Sequence, residues 1–429
     1  MAPTAPPSVS KRQIGGVCLG NAIEFYDFVT YAYFATQIGR TFFPSDTPSL
    51  SLLASLATFG VGFLTRPLGA ILLGRFADRV GRKPAMLVSF GLMGFASLAL
   101  PLIPSYAAIG VAAPIMVVLC RLIQGFAVGG EVGAATAFLM EAAPTNRRGL
   151  YTSLQAMSAD LSALTAGMVG LILSSVMSDA ALDAWGWRIA LLLGAAIIPV
   201  GLLLRRTLVE TLHPMAKVAD DAPSGISYRR VAIAGVCLVA AATTTNYLLK
   251  YMTTYASSTL GMSTQLAFGA TVVVGLCGAI CAPLAGALSD RIGRRPVMLT
   301  PWILLALAVF PCFELLEHQR SAAALYLACA ILATASTFAS SVFFVVIAES
   351  LPQRVRSGAL GLIYALAVSV FGGSAQFLVA WLTQLTGSPM TPAWYMIGGV
   401  IVGLVAMFAL PETAPVKRAC TALPDGTPA

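Results

Sequence analysis

A chain of 429 residues with 58% hydrophobic and 10% charged side chains, and a mean hydropathy of +0.83, is not a soluble domain, in which about a quarter of residues are charged. The formal charge of +8 could suggest nucleic acid or anionic lipid, but it follows from membrane topology, and no nucleic-acid partner is expected. The composition is that of an all-α membrane protein, long enough for roughly a dozen spans of ~20 to 30 residues.

The start, MAPTAPPSVSKRQ, is polar and has no apolar core behind a basic flank. No cleaved signal peptide is expected, and residues 1–13 read as a cytoplasmic tail. Apolar runs then predict twelve transmembrane helices, at 14–39, 50–73, 84–103, 111–141, 150–178, 185–205, 230–257, 263–288, 296–316, 320–348, 357–385 and 391–411. They fall into two six-helix bundles, 14–205 and 230–411. A polar linker, 206–229, joins the bundles, and a cytoplasmic tail, 412–429, ends the chain.

With the N-terminus placed in the cytoplasm, all but six of the 26 Lys and Arg fall at cytoplasmic positions. Arg40, Arg188 and Arg320 lie on the other side; Arg66, Arg121 and Lys250 lie within the membrane. That is a strong positive-inside bias and fixes the expected orientation. The chain also repeats: GRFADRVGRKP (74–84) returns as GALSDRIGRRP (286–296), and EAAPTNRRG (141–149) as ESLPQRVRSG (349–358). Two unrelated motifs recurring at nearly half the chain length indicate duplicated, pseudo-symmetric six-helix units. The eight cysteines sit almost all inside apolar runs and read as small buried hydrophobes. Two histidines, His213 and His318, offer no metal site, and neither a cofactor loop nor a nucleophile–base pair points to an enzyme.

Ionisable residues inside a bilayer cost at least ~2.5 kcal/mol and persist when paired or when they line a wet cavity. Helix 1 places Asn21, Glu24, Asp27 and Tyr31 on one stripe, and helix 4 places Arg121, Gln124, Val128 and Glu131 likewise. Both stripes are expected to face a shared central cavity. Arg66 lies at the depth of Glu24, so a Glu24–Arg66 pair is expected. Asp160 falls ~140° around helix 5 from Gln155, toward a different neighbour. GVCL recurs at 16–19 and 235–238, which sets Thr243, Asn246 and Lys250 of helix 7 opposite Glu24, Asp27 and Tyr31. An anionic, hydroxylated substrate could be held between Arg121 and Lys250. The substrate-binding candidates are therefore Asn21, Tyr31, Arg66, Arg121, Gln124, Thr243, Asn246 and Lys250. Glu24, Asp27 and Glu131 are the proton-coupling candidates, since an acid in a low-dielectric site can load and release a proton near physiological pH.

The loop pattern G-x-x-x-D-R-x-G-R-[KR], present twice, resembles the signature of the major facilitator superfamily. GNAIEFYDF and FATQIGRTFFPS around helix 1, GFLTRPLGA in helix 2, RLIQGFAVGGEVG in helix 4 and WGWRIALLLG at helix 6 narrow the resemblance to its metabolite:proton symporter family. IGRTFFPS, YTSLQ and YMTTY are most similar to its citrate and tricarballylate members. The resemblance implies a monomeric cell-membrane symporter, working by alternating access on a small carboxylate, with protons (or sodium) as coupling ion and no cofactor. It also implies conformational clamps: Gly74, Asp78, Arg79 and Arg82 after helix 2; Asp290, Arg291 and Arg294 after helix 8; Glu141 with Arg148; and Glu349 with Arg356. Osmosensing members carry a long C-terminal coiled coil, so no osmosensor is expected here. Symport of shikimate, 2-oxoglutarate or a betaine, and a proton-antiport exporter, are the alternatives on this fold. A non-transporting membrane sensor is a third, of another class.

Overall fold

The computed structural model describes residues 11–80, 82–129, 131–206, 228–352 and 356–417. The expected tails before Lys11 and from 418 on, nearly all of the linker (207–227), Gly81, and the side chains of Asp78, Arg82 and Glu131 lie outside the described residues.

Twelve helical rods account for the described chain, with no strand among the described residues. They are α1 (Lys11–Tyr33, prolonged by Ala35–Phe42), α2 (Pro48–Leu64 and Arg66–Val80), α3 (Arg82–Leu102), α4 (Ala112–Val128 and Glu131–Ala142), α5 (Arg148–Val176) and α6 (Trp187–Arg206). The second six are α7 (Tyr228–Thr254), α8 (Thr264–Ile292), α9 (Arg294–His318), α10 (Ala322–Ser340 and Phe343–Glu349), α11 (Arg356–Ala367 and Gly373–Thr386) and α12 (Thr391–Ala409). Eight are long and apolar enough to cross a membrane by length and composition alone. Helices α3 and α4 contribute the shorter apolar stretches Leu87–Leu102 and Ala112–Val128. Helix α1 is less apolar, since Asn21, Glu24 and Asp27 lie within its span.

Polarity is arranged for lipid. Leu64, Phe95, Val176, Leu307, Leu385 and Phe408 point outward, whereas Glu24, Asp27, Arg66, Arg121, Asp160 and Lys250 are buried. Water is absent from the hydrocarbon layer, so charge is tolerable only inside the bundle.

Lipid tails are as apolar as leucine, so the helices associate by close backbone packing, with glycine wherever carbonyls must approach. A Cβ on Gly125 of α4 would sit 1.5 Å from the Gly62 carbonyl oxygen of α2. Between the two halves, α5 and α8 run side by side through the whole depth. Gly149 meets Gly286 at one end, Leu164 meets Gly275 midway, and Gly170 meets Phe268 at the other end. On the opposite flank α2 meets α11, where Gly60 lies against Gly373. Pro67 has no N–H and leaves the Phe63 carbonyl without its helical donor. Ser369 of α11 donates to that carbonyl at 2.7 Å, so a break in one half is closed by the other.

Candidate functional site

Two cavities lie along the interface of the halves. One end of the molecule carries the Arg- and Lys-rich turns after α2, α4 and α8; at the opposite end a cleft of about 640 Å³ is lined by Tyr33, Gln37, Arg40, Asp183, Tyr251 and Thr253, among others. Arg40 pairs with Asp183 at 2.6 Å on its rim. A smaller cavity of about 90 Å³ lies deeper. Its wall is shared by Asn21 and Phe25 of α1, Gln155 and Asp160 of α5, Thr243, Asn246 and Lys250 of α7, Ser341, and Tyr364 of α11.

Of the substrate candidates, Asn21, Thr243, Asn246 and Lys250 meet at this cavity. Asn21 is also a packing residue, donating to the Gln155 carbonyl at 3.1 Å and to Ser158 Oγ at 2.7 Å. Lys250 lies 5.1 Å from the centroid of Tyr247 and 5.7 Å from that of Phe25.

Tyr31, Arg121 and Gln124 do not line either cavity, contrary to the reading of their stripes. They form a sealed knot with Asp27 inside the first half. Gln124 Nε2 donates to Asp27 Oδ2 at 2.6 Å and to Ser97 Oγ at 3.2 Å. Arg121 Nη1 donates to Gln124 Oε1 at 2.7 Å and stands 4.0 Å from Asp27 Oδ2. The Arg121 guanidinium is roofed by aromatic rings, 4.4 Å from Phe28, 4.5 Å from Tyr31 and 5.2 Å from Phe59. Tyr31 itself donates to the Ser55 carbonyl. The knot is under-satisfied: Asp27 Oδ1 and Arg121 Nε and Nη2 are buried with no hydrogen-bond partner. Half-satisfied buried charge is costly, so the stability of this knot depends on the charge state of its members.

Arg66 also departs from expectation. Its guanidinium packs over Phe63 at 4.1 Å and over Phe28 at 4.7 Å, so that Phe28 lies between Arg66 and Arg121. Among the described residues no ion pair within 4.0 Å joins it to Glu24; its guanidinium lies close to Tyr247 and Tyr364 of the second half. Arg66 thus links the knot to two side chains at the central cavity. Glu24 is buried in α1.

The basic end carries a clamp in the second-half motif. Asp290, near the end of α8, accepts the backbone N–H groups of Gly149 (2.8 Å) and Leu150 (2.9 Å), in the first turn of α5. These are donors that a helix start leaves without partners. Arg294 ties Asp290 (2.6 Å) to Glu349 (3.1 Å) and is itself fully buried. The expected partner of Glu349 was Arg356; the ion pair is with Arg294, and Arg356 donates to the Ala348 and Leu351 carbonyls. Glu141 is exposed, and among the described residues no ion pair within 4.0 Å joins it to Arg148. Arg79 and Arg291 are exposed, and Gly74 lies half-buried with open space at its Cβ.

Glu412 and Tyr364 have no counterpart in the sequence reading, and Asp160 and Gln155 were not placed at the site by it. Glu412, just past α12, accepts the N–H groups of Arg294 (3.0 Å), Arg295 (2.9 Å) and Ala414 (2.9 Å). Partial burial works against its ionisation, but these backbone donors prevail and hold its carboxyl below the usual range. Its signal was a lone acid between the last apolar run and a basic tail. Asp160 and Gln155 both reach the central cavity despite their separation on the helical wheel, because the cavity is bounded by several helices and spans a wide arc of α5. Tyr364 carried no signal: its place depends on α11 meeting α7.

The sugar (and other) transporter model matches residues 16–213 and 217–417. The chain is 34% identical over 410 residues to a citrate-proton symporter of Salmonella typhi, covering 93% of this chain and 94% of that one. It is 37% identical over 405 residues to the alpha-ketoglutarate permease of Escherichia coli K12, covering 92% of each. Among solved structures, the proton:xylose symporter XylE superposes with a TM-score of 0.74 at 17% identity, over 94% of this chain and 96% of that one, which establishes the major facilitator fold. The chain spans the membrane, is a transporter and not an enzyme, and belongs to the sugar (and other) transporter family.

Proposed function

We propose that the protein imports a small tri- or dicarboxylate, citrate-like, together with protons by alternating access. It acts as a monomer in the bacterial inner membrane, with its basic end and both termini in the cytoplasm. The observation that carries this reading is the central cavity, in which the Lys250 ammonium is accompanied by Thr243, Asn246 and Ser341 as hydroxyl and amide donors. A carboxylate needs such donors. The relatives named for citrate and alpha-ketoglutarate support the substrate class.

Coupling is assigned to Asp27. Bringing a dianion into a cell with a negative interior costs about 2.3 kcal/mol per charge for each 100 mV, and co-transported protons cancel that charge. Protonating Asp27 weakens its hold on Gln124 and on the nearby Arg121. The change reaches the cavity through Phe28, Arg66 and the tyrosines 247 and 364. Arg121 therefore acts as the partner of Asp27 and not as a ligand in this conformation. Asp290, Arg294 and Glu349 close the basic end while the opposite cleft admits substrate.

The test is uptake of labelled citrate, tricarballylate, 2-oxoglutarate, shikimate and betaine into proteoliposomes, with and without an imposed pH gradient. The expected result is gradient-driven accumulation of one or more of the carboxylates. Accumulation of betaine alone, or efflux driven by the gradient, would replace this reading.

A further inference from the structure

The central cavity contains a second acid, Asp160, which the coupling route through Asp27 does not use. It projects from α5 of the first half toward a cavity whose cation, Lys250, comes from α7 of the second half. Each senses the charge of the other. Yet among the described residues neither makes an ion pair within 4.0 Å. Asp160 is held from behind by α8, where a Cβ on Gly278 would lie 2.4 Å from its carboxylate. Lys250 is held over Tyr247 and Phe25. Opposite charges thus line one small cavity, separated and fixed on different halves.

We propose that Asp160 is the internal counter-ion of Lys250 across the two halves, standing in for the substrate carboxylate when the carrier is empty. The proposal rests on the reading of the protein as a carboxylate symporter. In the empty carrier, Asp160 offsets the Lys250 ammonium, so the cavity is near neutral and the halves can rock around it. A substrate carboxylate entering between them takes over Lys250 and is repelled by Asp160. That repulsion keeps affinity low enough for release. Asp160 is a positioning and selectivity residue: its charge restricts how much negative charge the cavity admits and permits the return of the empty carrier. Breaking a buried pair by removing one partner leaves an uncompensated charge, whereas removing both is far less harmful.

The experiment uses purified full-length protein with citrate and 2-oxoglutarate as probes. Asp160→Asn should bind the transported carboxylate at least roughly fivefold more tightly, equivalent to about 1 kcal/mol. It should lose most net uptake yet keep counterflow, which needs no empty return. Asp160→Glu, which keeps the charge, should bind as wild type does. Lys250→Met should lose binding at least about tenfold, and Asp160→Asn/Lys250→Met should recover the thermal stability that each single variant loses. Unchanged or weaker binding in a monodisperse Asp160→Asn protein overturns the proposal, as does additive loss of stability in the double variant. If wild-type protein takes up neither probe, the carboxylate reading falls; the stability cycle then decides on its own whether the charge couple exists.

Discussion

Asp27 has one carboxylate oxygen on Gln124 and the other without a partner, and Arg121 beside it leaves two N–H-bearing nitrogens unpaired. A purely structural pair would be expected to satisfy both groups; this one is poised. Asp27→Asn should therefore insert and bind substrate, retain counterflow, and lose accumulation on a pH gradient; comparing the two assays in one proteoliposome preparation checks it. Arg121→Gln should be harsher, because it strands a buried carboxylate at a cost of about 3 to 5 kcal/mol. Thermal unfolding in detergent should show that loss, with Asp27→Asn/Arg121→Gln recovering part of it. The intramembrane charges were legible in the sequence because so few residues are charged. What each one touches was not. The spacing of Arg121 and Gln124 marks a stripe on α4, but the rings of Phe28, Tyr31 and Phe59 that roof Arg121 come from α1 and α2.

At the scale of elements, the basic end depends on helix starts held by acids from distant parts of the chain. Asp290→Asn weakens its grip on the first turn of α5 and on Arg294. It should slow uptake severalfold while leaving equilibrium substrate affinity within a few-fold, as measured by binding in detergent. Glu412 caps the start of α9. Because its folded-state pKa is lowered, its stabilising contribution is present above the ordinary carboxylate range and is lost as pH falls through the depressed value. Glu412→Gln should then be less stable than wild type near neutrality, and the difference should shrink on acidification below about pH 4.5. Thermal melts across that range measure it. Within the first half, Gly125→Ala should prevent α2 and α4 from closing and abolish folded protein, since the added methyl group would meet backbone. The repeated motifs made the clamp region visible in the sequence. The pairing of Glu349 with Arg294 was not visible, because it needs α9 and α10 to converge.

At the scale of the molecule, the twelve apolar runs and the internal repeat gave the fold, because a bilayer forces backbone bonds inside each helix and so ties sequence pattern directly to structure. The cavity is the less legible part. Its wall is assembled from five of the rods, α1, α5, α7, α10 and α11, and no single helical period reports a surface drawn from so many elements. The α5–α8 seam and the Asp290 clamp hold the halves together on one side, the opposite cleft lies between them, and Lys250 sits in the small cavity beneath it. Such an arrangement suits a carrier that moves charge and proton in the same direction. The most direct measurement of that claim traps a pH dye inside proteoliposomes with no imposed pH gradient and adds the transported carboxylate outside. The account predicts acidification of the lumen in step with substrate entry, and none with Asp27→Asn. Entry of labelled substrate into wild-type vesicles with an unchanged or alkaline lumen would contradict it.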